Sequence, residues 1–199
     1  MCPASKMPQS MSTRPTGPFE STNSASSPGV RAVVLVGFMG AGKSSVGAAL
    51  SHHLGWPFED LDDRIRARER RSVEDIFRQS GEAAFRQLEH AALRSLVDEL
   101  GPSAKVLALG GGAFVQENNA ALLEEAGLPT IFLDAPAEEL FRRCQEQQVE
   151  RPLGKDAQEF HQLYESRRES YLKAGLRIET TGKDVEEVAA EVISRLGLG

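Results

Sequence analysis

The apolar run Ala32-Val33-Val34-Leu35-Val36 leads without a gap into Gly37-Phe38-Met39-Gly40-Ala41-Gly42-Lys43-Ser44-Ser45. No other feature of the chain constrains its fold as strongly. The run is short and rich in β-branched residues, as a buried parallel strand should be, and Ser44 onward reads as a helix with Val46, Ala49, Leu50 and Leu54 on one side. Gly37, Gly40 and Gly42 let successive backbone N–H groups bend toward one anionic centre, with the positive end of the helix behind them. Gly40, Ala41 and Gly42 therefore read as backbone ligands of a phosphate chain, and Lys43 adds a full charge near a transferring phosphate. The Ser44 hydroxyl is the expected ligand of the magnesium ion that a triphosphate carries, and the Ser45 hydroxyl can reach the α-phosphate. A chain built this way is expected to handle a nucleoside triphosphate.

Composition sets the limits around that motif. At 199 residues, 40% hydrophobic and 26% charged, the chain can bury one good core, so one domain is expected. A net charge of −6 argues against a nucleic-acid partner, because no local basic run offers a face for a phosphate backbone. The densest basic stretch, Arg64 to Arg71, is interrupted by Glu69 and reads as a solvated helix face. Cys2 and Cys144 cannot make a disulfide framework, and with His52, His53, His90 and His161 they show no metal-ligand spacing, which fits a reducing cytoplasm. Residues 1–29 are crowded with Ser, Thr and Pro and are expected to be a disordered leader; their hydroxyl-rich, acid-poor character leaves an organelle transit peptide open. No apolar run is long enough to span a bilayer, so no membrane partner is expected, and no exposed apolar stripe compels anything beyond a monomer.

From residue 30 to 199, short apolar runs alternate with helical stretches, which predicts an α/β domain with a parallel sheet covered on both faces. Strands are expected at 31–36, 56–60, 105–109, 130–134 and 177–180. Helices are expected near 43–54, 62–70, 73–80, 82–100, 117–126, 137–147, 157–173 and 184–196, with Ser80-Gly81 separating the third from the fourth. Ligands of such sheets sit at the carboxyl ends of the strands, so functional residues should follow each strand closely.

Candidates do stand there. After the second strand comes Glu59-Asp60-Leu61-Asp62-Asp63, where extended geometry would turn Asp60 and Asp62 to the same side, toward the glycine loop. One carboxylate could help hold hydrated magnesium while the other accepts a proton from a substrate hydroxyl, although Asp62 or Asp63 is equally a good helix N-cap. After the third strand, Gly110-Gly111-Gly112 either admits a substrate to the backbone or is an ordinary loop needing positive φ. In the helix between, Glu89 could hold Arg86 so that its planar fork grips a carboxylate, or Glu82, Arg86 and Glu89 form plain surface pairs. The polar segment 145–156 contains Arg151-Pro152-Leu153 and reads as a mobile, arginine-bearing lid or as a solvated loop. Asp134 ends the fourth strand and competes as a magnesium-site acid, but Asp134-Ala135-Pro136 reads better as a helix cap.

Taken in order, GFMGAGKSS at 37–45, DLD at 60–62, FRQLE at 85–89, GGG at 110–112, RPL at 151–153 and RRESY at 167–171 resemble one family, the shikimate kinases, over about residues 31–196. The resemblance implies a three-layer α/β/α P-loop fold of the nucleoside-monophosphate-kinase type with a five-stranded parallel sheet. It implies transfer of the ATP γ-phosphoryl group to the 3-hydroxyl of shikimate, with Mg2+ as cofactor. By position, Asp62, Arg86, Gly111 and Arg167 match the family's shikimate contacts, and Glu89 the residue that orients the carboxylate-binding arginine. Lys43 and Arg151 match the phosphate-binding pair, Ser44 the magnesium ligand and Asp60 the outer-sphere magnesium carboxylate. Phe77, Phe85, Pro152 and Leu153 resemble the apolar lining of the substrate pocket, whereas Gly154 departs from the family's usual second leucine. A gluconate kinase would share the loop and lid but not the FRQLE and GGG combination, and a nucleotide switch would need a base-reading Asn-Lys-x-Asp, which is absent.

Overall fold

Each residue of β1 (Ala32–Val36) is fully buried, which is what an uninterrupted apolar run requires of a strand with no polar side to show. The computed structural model of the protein describes residues 30–101, 103–146 and 156–198; the leader and Arg151, Pro152, Leu153 and Gly154 fall outside them. Around β1 the described residues form one five-stranded sheet. Its other strands are β2 (Phe58–Asp60), β3 (Lys105–Ala108), β4 (Thr130–Asp134) and β5 (Leu176–Glu179). The order is β2-β3-β1-β4-β5 and every pairing is parallel. Strand order reverses beside β1, since the chain runs outward to β2, returns through β3 and then crosses to β4. The crevice beyond the carboxyl end of β1 is the place where such a sheet opens to a ligand.

Among the described residues seven helices connect and cover the strands: α1 (Lys43–Leu54), α2 (Leu61–Glu69), α3 (Val73–Asp98), α4 (Glu117–Glu125), α5 (Ala137–Glu146), α6 (Ala157–Tyr171) and α7 (Val185–Leu196). The expected elements are all present, with small shifts that have local causes. β2 begins at Phe58 rather than at 56, because Pro57 has no N–H for the ladder, although its carbonyl still accepts from Val106 N at 2.9 Å. The expected break at Gly81 is present: the residue leaves the helical region at φ 79°, ψ 171°, so α3 is two helical stretches joined at a kink. α1 lies close over the sheet edge because Gly47 has no side chain; a Cβ there would stand 2.3 Å from the Phe58 ring.

The core reaches into the glycine loop itself. Phe38, fully buried, meets the rings of Phe160 at 5.0 Å and Tyr164 at 5.5 Å, both on α6. Edge-to-face contacts of this kind contribute on the order of 0.5–1.5 kcal/mol beyond area burial. The loop is thereby tied to the helix that carries Arg167.

Candidate active site

The loop after β1 presents a helix start with nothing of its own to satisfy it. Gly42 caps α1 in the left-handed region at φ 87° and has no side chain to cap with, and the first turn contains no acid. Backbone N–H groups and the helix dipole are thus turned toward an anion. Gly40 has both a positive φ of 79° and no room, since a Cβ would lie 2.6 Å from the Leu140 carbonyl. Lys43 Nζ donates to the carbonyls of Gly37 and Phe38, each at 2.9 Å, which holds the ammonium over the loop.

Two hard oxygen ligands meet beside it. Ser44 Oγ donates to Asp60 Oδ2 at 2.9 Å, while Asp60 Oδ1 accepts from Asp62 N at 3.0 Å. That second contact corrects the capping assignment made for Asp62 or Asp63: Asp60 is the N-cap of α2, and Asp62 and Asp63 lie in the first turn. It also corrects the extended arrangement of 60–62, because the strand ends at Asp60 and the chain turns into a helix at once. Asp62 reaches the cavity from the helix, with its carboxylate over Gly110.

The glycines at 110–112 are there for space rather than for unusual backbone angles, since none of them has a positive φ. A Cβ on Gly110 would lie 2.6 Å from Asp62 Oδ1, and one on Gly112 would lie 2.5 Å from Arg86 Nη2. The loop is therefore the seat on which both side chains rest. Arg86 Nη1 donates to Glu89 Oε2 at 2.8 Å and its Nη2 to Glu82 Oε1 at 3.0 Å. The Arg86 guanidinium carbon also lies 5.9 Å and 5.3 Å from the ring centres of Phe77 and Phe85. Burial pulls the guanidinium down, but the Glu89 and Glu82 carboxylates outweigh it and keep Arg86 firmly charged.

Glu89 is not part of a surface pair. It is 0% exposed, and among the described residues its Oε1 has no hydrogen-bond partner. Burial pushes its carboxyl up to about 7, against the opposing pull of Arg86 and with a further push from Asp62. From the other side, Arg167 Nη1 stands 3.5 Å from the Gly111 carbonyl and its guanidinium carbon 5.8 Å from the Phe38 ring. Tyr171, one helical turn on, donates its phenol to the same carbonyl and stacks on Phe132 at 5.3 Å. Burial raises the Tyr171 phenol, so it remains a donor.

These groups share one cavity of about 510 Å³. Lys43, Ser44, Ser45 and Asp60 line its phosphate-loop half together with Gly40 and Gly42, while Asp62, Arg86, Glu89, Gly111 and Arg167 line the other half. Phe77 and Phe85 supply apolar wall, as expected from the sequence. Ala41, buried, sits in the loop but is not among the cavity-lining residues. Arg151, Pro152 and Leu153, with most of the expected lid, fall outside the described residues.

Some residues the sequence reading placed elsewhere. Within the stretch read as a solvated face, Arg66 is exposed as expected while bordering the cavity, whereas Arg64 folds back to Glu59 at 3.1 Å. A charge run shows no sign of which members turn inward. Tyr171 entered the sequence reading only as the last residue of RRESY. Asp134 is neither cap nor cavity acid: its carboxylate accepts from Tyr164 at 3.1 Å and Arg177 Nε at 2.8 Å, and the first turn of α5 closes instead from Leu140 N to the Pro136 carbonyl at 3.0 Å. Arg143 spans to Thr180, with Nη1 3.1 Å from its hydroxyl and Nη2 3.1 Å from its carbonyl. Lys183 pairs with Glu191 at 2.6 Å.

Known proteins resemble the chain over nearly all of this architecture. The family described as Shikimate kinase matches residues 39–197. A shikimate kinase of Geobacter metallireducens is 43% identical over 179 residues, covering 88% of this chain and 97% of that protein. One of Persephonella marina is 39% identical over 167 residues, covering 84% of this chain and 99% of its own. Among solved structures, shikimate kinase from Acinetobacter baumannii in complex with shikimate aligns with a TM-score of 0.77 at 31% identity, over 84% of this chain and 93% of that one.

Proposed function

Because the chain belongs to the shikimate kinase family, we infer that it transfers the γ-phosphoryl group of ATP to the 3-hydroxyl of shikimate, giving shikimate 3-phosphate and ADP for chorismate and aromatic amino acid synthesis. One observation carries the site assignment: a phosphate-cradling loop and a buttressed arginine open into the same cavity, which Asp62 also lines. A small anion with three hydroxyls needs such a pairing of fixed cation and polar readers.

In this reading Arg86, held by Glu89, grips the shikimate carboxylate with its fork, and Arg167 adds a second charge. Asp62 and the Gly111 backbone read the hydroxyls. Asp62 accepts the proton of the 3-hydroxyl as its oxygen forms a bond to the γ-phosphorus, while the bond from that phosphorus to the β-bridging oxygen breaks and ADP leaves. Gly40, Ala41 and Gly42 direct N–H groups at the phosphates, Ser45 reaches the α-phosphate, and Lys43 neutralises the moving group. Arg151 is assigned to the same task on its sequence position, within a lid at about 145–156.

Mg2+ is the proposed cofactor. The touching Ser44 hydroxyl and Asp60 carboxylate are hard oxygen donors at the mouth of the phosphate loop. That pair suits a cation bound mainly by water and phosphate, and among the described residues no cluster of three or more acidic, histidine or cysteine side chains forms a closed metal cage. When bound, the ion would offset charge on the triphosphate. No helix among the described residues is long and apolar enough to cross a membrane. A cytoplasmic monomer is the proposed state, supported by a thiol at Cys144 that is not in a disulfide and, among the described residues, by large exposed apolar side chains confined to Leu172 and Val185.

The test is ADP release with Mg2+ against a panel of shikimate, gluconate and nucleoside monophosphates. Turnover on gluconate with none on shikimate overturns the assignment.

A further inference from the structure

Behind the glycine turn runs a buried polar chain that none of the roles above uses. Asn119, in the first turn of α4, is 0% exposed, and its Nδ2 donates to the Ala113 carbonyl at 2.9 Å. Its Oδ1 stands 2.7 Å from His90 Nδ1. Chemistry fixes the direction of both bonds. A carbonyl only accepts, so the amide nitrogen must face Ala113; Oδ1 then also only accepts, so His90 Nδ1 must carry the proton.

Ala113 in turn donates its N–H to the Gly110 carbonyl at 3.0 Å, closing the turn around Gly111 and Gly112. Glycines have no side chains with which to hold their own backbone, and their φ/ψ range is wide. The turn therefore depends on ties from outside. Tyr171 and Arg167 hold it at the Gly111 carbonyl; Asn119 holds it at the Ala113 carbonyl, which also accepts from Gln116 N at 3.2 Å. α3 reaches the turn directly through the Arg86 guanidinium over Gly112 and indirectly through His90, by way of Asn119.

We propose that Asn119, oriented by His90, is a positioning residue for phosphoryl transfer: by fixing the Ala113 carbonyl it sets how the Gly111 backbone lies relative to Asp62 and Arg86, and hence how a polyhydroxy carboxylate is read. The inference rests on the assignment of that half of the cavity to shikimate. It concerns neither the phosphate loop nor the metal pair, so its signature is confined to one substrate.

Steady-state kinetics with both substrates varied test it on Asn119→Ala, His90→Ala, His90→Asn and Arg86→Ala. Asn119→Ala is expected to raise the KM for shikimate about tenfold, the loss of one buried hydrogen bond, with the KM for ATP changed by less than about twofold. His90→Ala moves the same parameter in the same direction, and His90→Asn, which puts an amide N–H where Nδ1–H stood, recovers most of it. A raised KM for shikimate in Arg86→Ala with a normal one in folded Asn119→Ala overturns the role of Asn119 alone. Unchanged values in both overturn the pocket assignment itself. Equal changes in the two KM values mark a merely structural residue and also overturn the proposal. Should Asn119→Ala fail to fold, the His90 pair decides, and a wild-type KM for shikimate in His90→Ala overturns it.

Discussion

Arg86 is restrained by Glu89 and Glu82, by the Phe77 and Phe85 rings and by its seat on Gly112, so little rotamer freedom is left to lose when a carboxylate binds. Arg86→Ala should weaken shikimate binding by about 10–100-fold, the range for charge-assisted hydrogen bonds, and leave nucleotide binding nearly unchanged; calorimetric titration of each ligand checks this. Gly112→Ala should act on the same function by another route. The added methyl would meet the guanidinium end of Arg86 and no backbone, so the protein should still fold while Arg86 is pushed off its seat and the KM for shikimate rises. Normal shikimate kinetics in Gly112→Ala would show that the seat is unimportant. Glu89 makes a pH-dependent contribution, because its carboxyl is raised from the ordinary 4.5 to about 7. The folded state holds that proton more tightly than the unfolded chain does. Its contribution is thus fully present below about 4.5 and is lost as pH rises through about 7. Wild type should therefore lose stability relative to Glu89→Gln across that window, and a melting-temperature difference that stays flat with pH would contradict it.

At the scale of elements, α3 does two jobs that the kink at Gly81 separates. Its first part carries Phe77 to the cavity wall, and its second part carries Phe85, Arg86, Glu89 and His90. Gly81 holds φ 79°, ψ 171°, a region essentially closed to other residues. Gly81→Ala should cost about 1–3 kcal/mol, read as a lower melting temperature. α6 has a comparable linking role. It packs Phe160 and Tyr164 on Phe38 of the phosphate loop and brings Arg167 and Tyr171 to Gly111, so the nucleotide and acceptor halves share one rigid wall. The existence of these helices was legible because apolar periodicity and breakers are local. Their functional faces were not: Arg64 to Arg71 looks uniformly solvated in the sequence, yet Arg64 turns to Glu59 and the exposed Arg66 borders the cavity.

For the whole molecule, ligand binding and folding are linked. Shikimate at about 100 times its dissociation constant should add about 2.7 kcal/mol of stability, a rise of about 5–11 °C for a domain of this size. At the same shikimate concentration Arg86→Ala should cut that gain to about 0.4–1.4 kcal/mol while keeping the rise produced by ATP with magnesium, and differential scanning fluorimetry distinguishes the two. What the sequence alone determined is whatever contiguous residues encode: a buried strand, a glycine bend and an uncapped helix start after Val36, the alternation of strands and helices, and the ordered motifs that point to Lys43, Asp62, Arg86 and Gly111. Tertiary structure decided the relations between distant residues. It made Asp60 the cap of α2, turned Asp134 to Tyr164 and Arg177, left Glu89 wholly buried, and placed Asn119 behind the turn with His90. It also supplied the reason for the glycines at 110 and 112, which is room for side chains from α2 and α3. The division has a physical cause: propensity, capping chemistry and periodicity act within a few residues, whereas burial, clearance and partner choice depend on which elements the sheet order brings side by side.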